Sequence, residues 1–154
     1  MPEQSKCCDE PVVKALKLHE RVELPRYESE NAAGMDLRAF LETDAVIAPL
    51  GRAKIPTGLK LEIPAGFEGQ VRPRSGLAIK SGLTVLNSPG TIDSDYRGEV
   101  EIILVNTGSA EVVIKDGQRI AQLVIAPVCR ARIKEADSLA QSGRGDAGFG
   151  STGV

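Results

Sequence analysis

The sequence predicts an all-β protein, a jelly-roll-like barrel or sandwich of short strands with one short helix and a flexible C-terminal arm. Three observations predict it. Apolar and polar residues alternate at period two in segment after segment, while the helical period is nearly absent. The 16 glycines and 9 prolines fall as punctuation at short intervals, which leaves little room for long helices. Beyond Ala136 the apolar pattern stops. With 154 residues the chain suits one hydrophobic core rather than two.

Met1 to Glu10 is polar, lacks the apolar run of a secretion signal, and reads as a disordered extension before a domain spanning 11–136. His19 lies among Leu16, Leu18 and Val22 at a strand or strand end. As the single histidine it reads as a structural residue, and a His-rich zinc site or a Ser-His-Asp device lacks parts. Leu59, Leu61 and Ile63 alternate with Lys60 and Glu62, Pro64-Ala65-Gly66 turns the chain, and Phe67 and Val71 alternate with Glu68, Gln70 and Arg72. That segment predicts a hairpin. Ser75 to Ser81 is the one helix-like stretch, with a serine to cap it and Gly82 to stop it. Val100, Ile102 and Leu104, then Val112 and Ile114, then the run from Ile120 to Ile125 predict core strands. Residues 137–154 form the arm, since Gln141 to Gly148 holds nothing apolar larger than alanine.

Charge and cysteine usage narrow the function classes. A formal charge of −2 with both signs plentiful offers no basic field for duplex nucleic acid, so any anionic ligand is met locally. The longest apolar stretches, such as Leu123 to Val128, are too short to span a bilayer. Cys7, Cys8 and Cys129 make neither a disulfide framework nor a C-x-x-C knuckle and read as thiols in a reducing compartment. The expectation is a soluble intracellular protein, cytoplasmic or, in a eukaryote, also nuclear, without nucleic-acid or membrane partners.

Three segments carry candidate chemistry. In the arm, Gly143-x-Gly145-x-x-Gly148 fits the dinucleotide fingerprint without a βαβ unit around it. Gly145-x-x-x-x-Gly150 has Walker A spacing but is followed by Ser151 and Thr152 in place of Lys. What remains is backbone N–H groups freed by glycine, two hydroxyls and the Arg144 guanidinium, a set suited to phosphate. A solvated terminus is the plain alternative. Phe149 argues against that, because aromatic residues make up 3% of the chain and this one stands where no core can receive it. In Pro73-Arg74-Ser75-Gly76-Leu77-Ala78, Arg74, Ser75 and the following N–H groups either converge on an oxyanion or form a capped helix start with solvated arginines. In Asn87 to Gly98, turn chemistry accounts for Pro89-Gly90 and the aspartates. The same residues also hold what a nucleoside pocket needs, namely Asn87 for a base edge, carboxylates for a general base and Tyr96 as a flat wall.

The chain resembles the homotrimeric dUTP pyrophosphatases. The resemblance is carried, in order, by Ala33-Gly-Met-Asp-Leu37, Pro73-Arg-Ser-Gly-Leu-Ala78, Gly90-Thr-Ile-Asp-Ser-Asp-Tyr-Arg-Gly98, Gly117-Gln-Arg-Ile-Ala-Gln122 and Arg144-Gly-Asp-Ala-Gly-Phe-Gly-Ser-Thr-Gly153. It implies a jelly-roll subunit, three copies of which share three active sites, and cleavage of dUTP to dUMP and diphosphate with Mg²⁺. By motif, it implies that Asp93 orients and deprotonates the water attacking the α-phosphorus and also approaches the sugar 3′-hydroxyl. An ordinary carboxylate is ionised at neutral pH and a weak base, so positioning is expected to matter more than basicity. The resemblance further implies that Tyr96 packs beneath the deoxyribose and excludes a 2′-hydroxyl, and that Asn87 and the backbone of Gly90, Thr91 and Ile92 read uracil. Arg74, Ser75, Gly76 and the catalytic-site Gln122 hold phosphates in this matching, Phe149 stacks on uracil, and Arg144, Gly150, Ser151 and Thr152 embrace the γ-phosphate. Asp36 would reach the metal through water, as suits an ion that keeps its waters.

One departure stands in the arm, where Ala147 replaces a common glycine; a positive φ there would cost about 1 kcal/mol. Two rival readings fit the residues less well. A related dCTP deaminase would need a glutamate where Ile103 stands and a second arginine where Ile79 and Lys80 follow the serine. A non-catalytic nucleotide-binding module would not need Asp93, Gln122 and the complete arm.

Overall fold

A computed structural model describes residues 10–148. The predicted fold class holds: ten short strands and one short helix, with two four-stranded antiparallel sheets packed face to face. The first sheet runs β1 (Lys14–Lys17), β4 (Arg52–Glu62), β8 (Glu99–Asn106), β6 (Leu83–Val85). The second runs β2 (Met35–Arg38), β10 (Arg119–Pro127), β5 (Phe67–Arg72), β7 (Gly90–Ile92). A separate ribbon pairs β3 (Ala45–Ile47) with β9 (Val112–Ile114).

The core is what the alternation demands. β8 buries Val100, Ile102, Leu104 and Asn106 and turns Glu99, Glu101, Ile103 and Val105 the other way. Facing it from the second sheet are Leu37, Val71, Ile92 and Leu123. Two strands break strict alternation, and both carry register shifts. In β4, Thr57, Gly58 and Leu59 are all buried where the pairing slips between Pro56 and Lys60. Gly58 adopts φ +68° there, and a Cβ would come within 2.5 Å of Val22. In β10, Ile120 and Ala121 are both buried beside an irregularity that follows Arg119. Such bulges re-aim the adjacent side chain.

The predicted 59–72 hairpin is not formed. β4 pairs with β1 and β8, whereas β5 pairs with β10 and β7, so Pro64-Ala65-Gly66 carries the chain from one sheet to the other. Alternation tells which face of a strand is apolar, and that face is the same whether the next strand lies beside it or across the core. The helix α1 spans Ser75–Ser81 as predicted, but its cap differs. Arg74 occupies the N-cap position without a side-chain cap bond, and Ser75 is the first helical residue. Gly82 ends the helix at φ 66°, its N–H donating to Ala78 O.

His19 lies in an exposed turn after β1, with its ring centroid 5.5 Å from that of Phe40 and Nδ1 accepting the Arg21 N–H at 3.2 Å. Cys129 is exposed and unpaired, while Cys7 and Cys8 lie outside the described residues. Residues 128–148 contain neither helix nor strand, and all but Gly148 are exposed. Their one positive φ belongs to Gly145 and not to Ala147, so the alanine methyl meets no backbone penalty in this conformation. Among the described residues, no helix is long and apolar enough to cross a membrane.

Asn106 is the polar keystone of the core. Its Nδ2 donates to Ile47 O at 2.9 Å and Ala110 O at 2.8 Å, and its Oδ1 accepts the Gly108 N–H at 2.9 Å. Asn106→Leu keeps the branched shape but orphans those groups, at about 1–3 kcal/mol for each one left buried and unpaired. The expected result is a loss of at least about 2 kcal/mol in urea unfolding at unchanged m; a variant as stable as the parent contradicts this role.

Candidate active site

The third segment forms a pocket of about 240 Å³ lined by residues of both sheets. Its lining includes Asn87, Gly90, Thr91, Ile92, Asp93 and Tyr96. β7 sets these residues in place by pairing Gly90 with Val71, Thr91 with Gln70 and Ile92 with Gly69 on β5. At Gly90 a Cβ would sit 3.3 Å from both Asn87 Nδ2 and Val71 Cβ, so glycine lets the Asn87 amide lie against bare backbone. Past β7 the chain turns, with the Tyr96 N–H donating to Asp93 O at 3.1 Å. The Tyr96 hydroxyl donates to Glu99 O at 2.9 Å, and a Cβ on Gly98 would overlap the phenol. Arg97 Nη1 ties the same loop by donating to Ser94 O at 2.8 Å and Tyr96 O at 2.9 Å. The ring is therefore fixed at the rim while its face stays open. Asp93 also borders a second cavity, of about 410 Å³, together with Glu68, Ser94, Asp95 and Arg130.

A second cluster gathers on β2, β10 and the start of α1. The Asp36 carboxylate bridges two arginines, Oδ1 to Arg74 Nε at 2.9 Å and Oδ2 to Arg119 Nη1 at 3.1 Å. Gln122 stands between Asp36 on β2 and Arg72 on β5, and its Nε2 donates to Pro73 O at 2.9 Å. A Cβ at Gly34 would collide with the Gln122 amide oxygen, which accounts for glycine there. Ser75 and Gly76 follow directly at the start of α1, where a Cβ at Gly76 would meet open space. This is an anion-facing surface: a charged guanidinium pre-set by a half-shielded carboxylate, an amide and a hydroxyl.

The two clusters are separate on one chain. None of Asp36, Arg74, Ser75, Gly76 and Gln122 lines the pocket that holds Asp93. Arg144 lies in an exposed turn, its Nε donating to Ala147 O at 2.6 Å. Phe149, Gly150, Ser151 and Thr152 lie outside the described residues. Sequence reasoning missed Arg119, although it sits inside the fourth quoted motif, because the bulge that aims it at Asp36 leaves no mark in the alternation. It also missed Lys54, Glu99 and Glu101 in the pocket lining. The alternation puts Glu99 and Glu101 on one face of β8, but only the pairing of Lys54 with Ile103 brings β4 to the same place.

For a metal, the fit is restrictive. Among the described residues, no group of three His, Cys, Asp or Glu is placed to hold an ion. Asp36 has both oxygens committed to arginines. The chain thus fits only an ion that draws most ligands from its substrate and from water.

A model of the family described as dUTPase matches residues 20–153. The chain belongs to the dUTPase family. A deoxyuridine 5′-triphosphate nucleotidohydrolase of Rhizobium etli (strain CIAT 652) is 61% identical over 148 residues, covering 94% of this chain and 95% of that protein. One from Anaeromyxobacter sp. (strain Fw109-5) is 57% identical over 144 residues, covering 92% and 97%. Among solved structures, the Staphylococcus bacteriophage 80alpha dUTPase with dUPNHPP superposes at a TM-score of 0.85 with 27% identity, covering 93% of this chain and 99% of that one. The dUTPase match spans both clusters and reaches into the arm.

Proposed function

We propose that this chain hydrolyses dUTP to dUMP and diphosphate, limiting uracil incorporation into DNA and supplying dUMP for thymidylate synthesis. The observation that carries the mechanism is the meeting of Asn87, Gly90, Asp93 and Tyr96 in one pocket. The Asn87 amide offers a donor and an acceptor beside the backbone of Gly90, Thr91 and Ile92, matching a uracil edge. Tyr96, tethered at its hydroxyl, lies beneath the deoxyribose, where a 2′-hydroxyl has no room. Asp93 holds a water in line with the α-phosphorus and takes its proton; the new P–O bond forms as the bond to the α,β-bridging oxygen breaks and diphosphate leaves. Shape and paired hydrogen bonds set the specificity.

The phosphates fall to Arg74, Ser75, Gly76 and Gln122. These stand apart from the Asp93 pocket on one chain, which suits a homotrimer in which one copy's pocket faces another copy's basic cluster. The arm completes the site, Phe149 stacking on uracil while Arg144, Gly150, Ser151 and Thr152 enclose the γ-phosphate. Mg²⁺, carried in on the triphosphate, would neutralise phosphate charge when bound, with Asp36 within reach through water. A substrate from the free nucleotide pool suits a cytoplasmic enzyme.

The test is diphosphate release with Mg²⁺ from five nucleotides. The expected kcat/KM for dUTP exceeds that for dCTP, dTTP, UTP and ATP by at least about 10²-fold. Similar rates on all five would remove the nucleoside-pocket assignment.

A further inference from the structure

Among the described residues, the base pocket contains one cation that the reaction does not use. Its lining holds Lys54 beside the carboxylates of Asp93, Glu99 and Glu101. Asp93 is assigned to water. Glu99 is already committed, its Oε1 accepting the Gly58 N–H at 2.8 Å. Among the described residues Glu101 has a single side-chain partner: its Oε2 meets Lys54 Nζ at 2.8 Å. The contact is built by strand register, since β4 and β8 pair Lys54 with Ile103, and Glu101 stands two residues along on the face that Ile103 shares.

Asn87 cannot by itself tell uracil from cytosine. A side-chain amide carries both a donor and an acceptor, and half a turn about its terminal torsion exchanges them. Uracil presents a C4 carbonyl and an N3–H; cytosine presents a C4 amine and a bare N3. The backbone of Gly90, Thr91 and Ile92 supplies groups of fixed polarity, and a fixed charge in the same lining adds to them or opposes them. An unpaired carboxylate in this lining would accept the cytosine amine in a charge-assisted hydrogen bond and repel the uracil carbonyl. An ammonium does the reverse.

We infer that the Lys54–Glu101 ion pair is a specificity determinant, Lys54 masking Glu101 so that the pocket favours the C4 carbonyl of uracil over the C4 amine of cytosine. This rests on the dUTP-hydrolysing reading above. The hydrogen bond and charge of Glu101 hold the Lys54 ammonium above the ordinary lysine range, and at neutral pH the mask is charged as any exposed lysine is. A purely structural role explains little, because the side chains are 62% and 32% exposed and exposed pairs add little to folding.

The experiment compares kcat/KM for dUTP and dCTP in the parent, Lys54→Met, Lys54→Arg, Glu101→Gln and the double variant K54M/E101Q, with thermal melts of each. Lys54→Met uncovers the carboxylate and is expected to lower the dUTP:dCTP ratio at least about tenfold. Lys54→Arg retains the charge and keeps the ratio within about twofold of the parent. Adding Glu101→Gln to Lys54→Met removes the exposed acceptor and restores most of the ratio, an outcome that a change in stability alone does not produce. The inference is overturned if Lys54→Met leaves the ratio within about twofold of the parent, or if the double variant discriminates no better than Lys54→Met. A parent enzyme that does not cleave dUTP sinks the proposed function instead, so the two failures are distinct.

Discussion

Asp93→Asn is expected to lower kcat for dUTP by about 10²–10⁴-fold while the affinity for dUPNHPP stays within about threefold. The substitution preserves volume and leaves the loop intact, because the bond that closes the turn runs from the Tyr96 N–H to the Asp93 backbone oxygen and not to its side chain. The pocket keeps Asn87 and Gly90 for the base and Tyr96 for the sugar. What disappears is the anionic oxygen that takes the proton from water, a demand that grows only as the O–P bond forms. An amide orients water with one oxygen but accepts no proton. The checks are single-turnover kinetics for the chemical step and calorimetry with dUPNHPP for binding. If kcat falls less than about tenfold, another group is the base; if affinity collapses with it, Asp93 holds nucleotide more than it activates water.

Strands β5, β8, β9 and β10, the second half of β4, the bounds of α1 and the residue types that meet in the pocket were legible in the sequence because each is a local property. Period two along Glu99–Asn106 reports one buried face, and Gly82 reports a helix end. The fate of Pro64-Ala65-Gly66 was not legible, since a hairpin and a crossing between sheets bury the same side chains. The Asp36–Arg74–Arg119 bridge was hidden for a related reason: its members come from β2, the start of α1 and β10, and a bulge sets the aim of the last. Nothing in the alternation singles out Lys54. Only the pairing of β4 with β8 gives it Glu101 and the pocket. Long-range register, rather than residue type, separates what was read from what was missed.

Two crippled variants are expected to rescue one another. Arg74→Ala removes the guanidinium that Asp36 presents, and losing a charged phosphate contact of about 1.5–3 kcal/mol leaves a few per cent of the parent kcat/KM. Asp93→Asn leaves less. Within one chain Arg74 does not line the Asp93 pocket, and in the proposed homotrimer each working site takes Asp93 from one copy and Arg74 from another. When equal amounts are unfolded together and refolded, half the copies carry an intact Asp93 and the other half an intact Arg74. About a quarter of the head-to-tail contacts in a closed ring then join the two intact halves, so turnover should rise to about a quarter of the parent's. Mixing the folded variants without unfolding is the control, and it stays near the average of the two if copies do not exchange. A refolded mixture that also stays at that average means each site is built within a single chain. The separation of the pocket from the arginine cluster would then have to close by a movement of the chain itself.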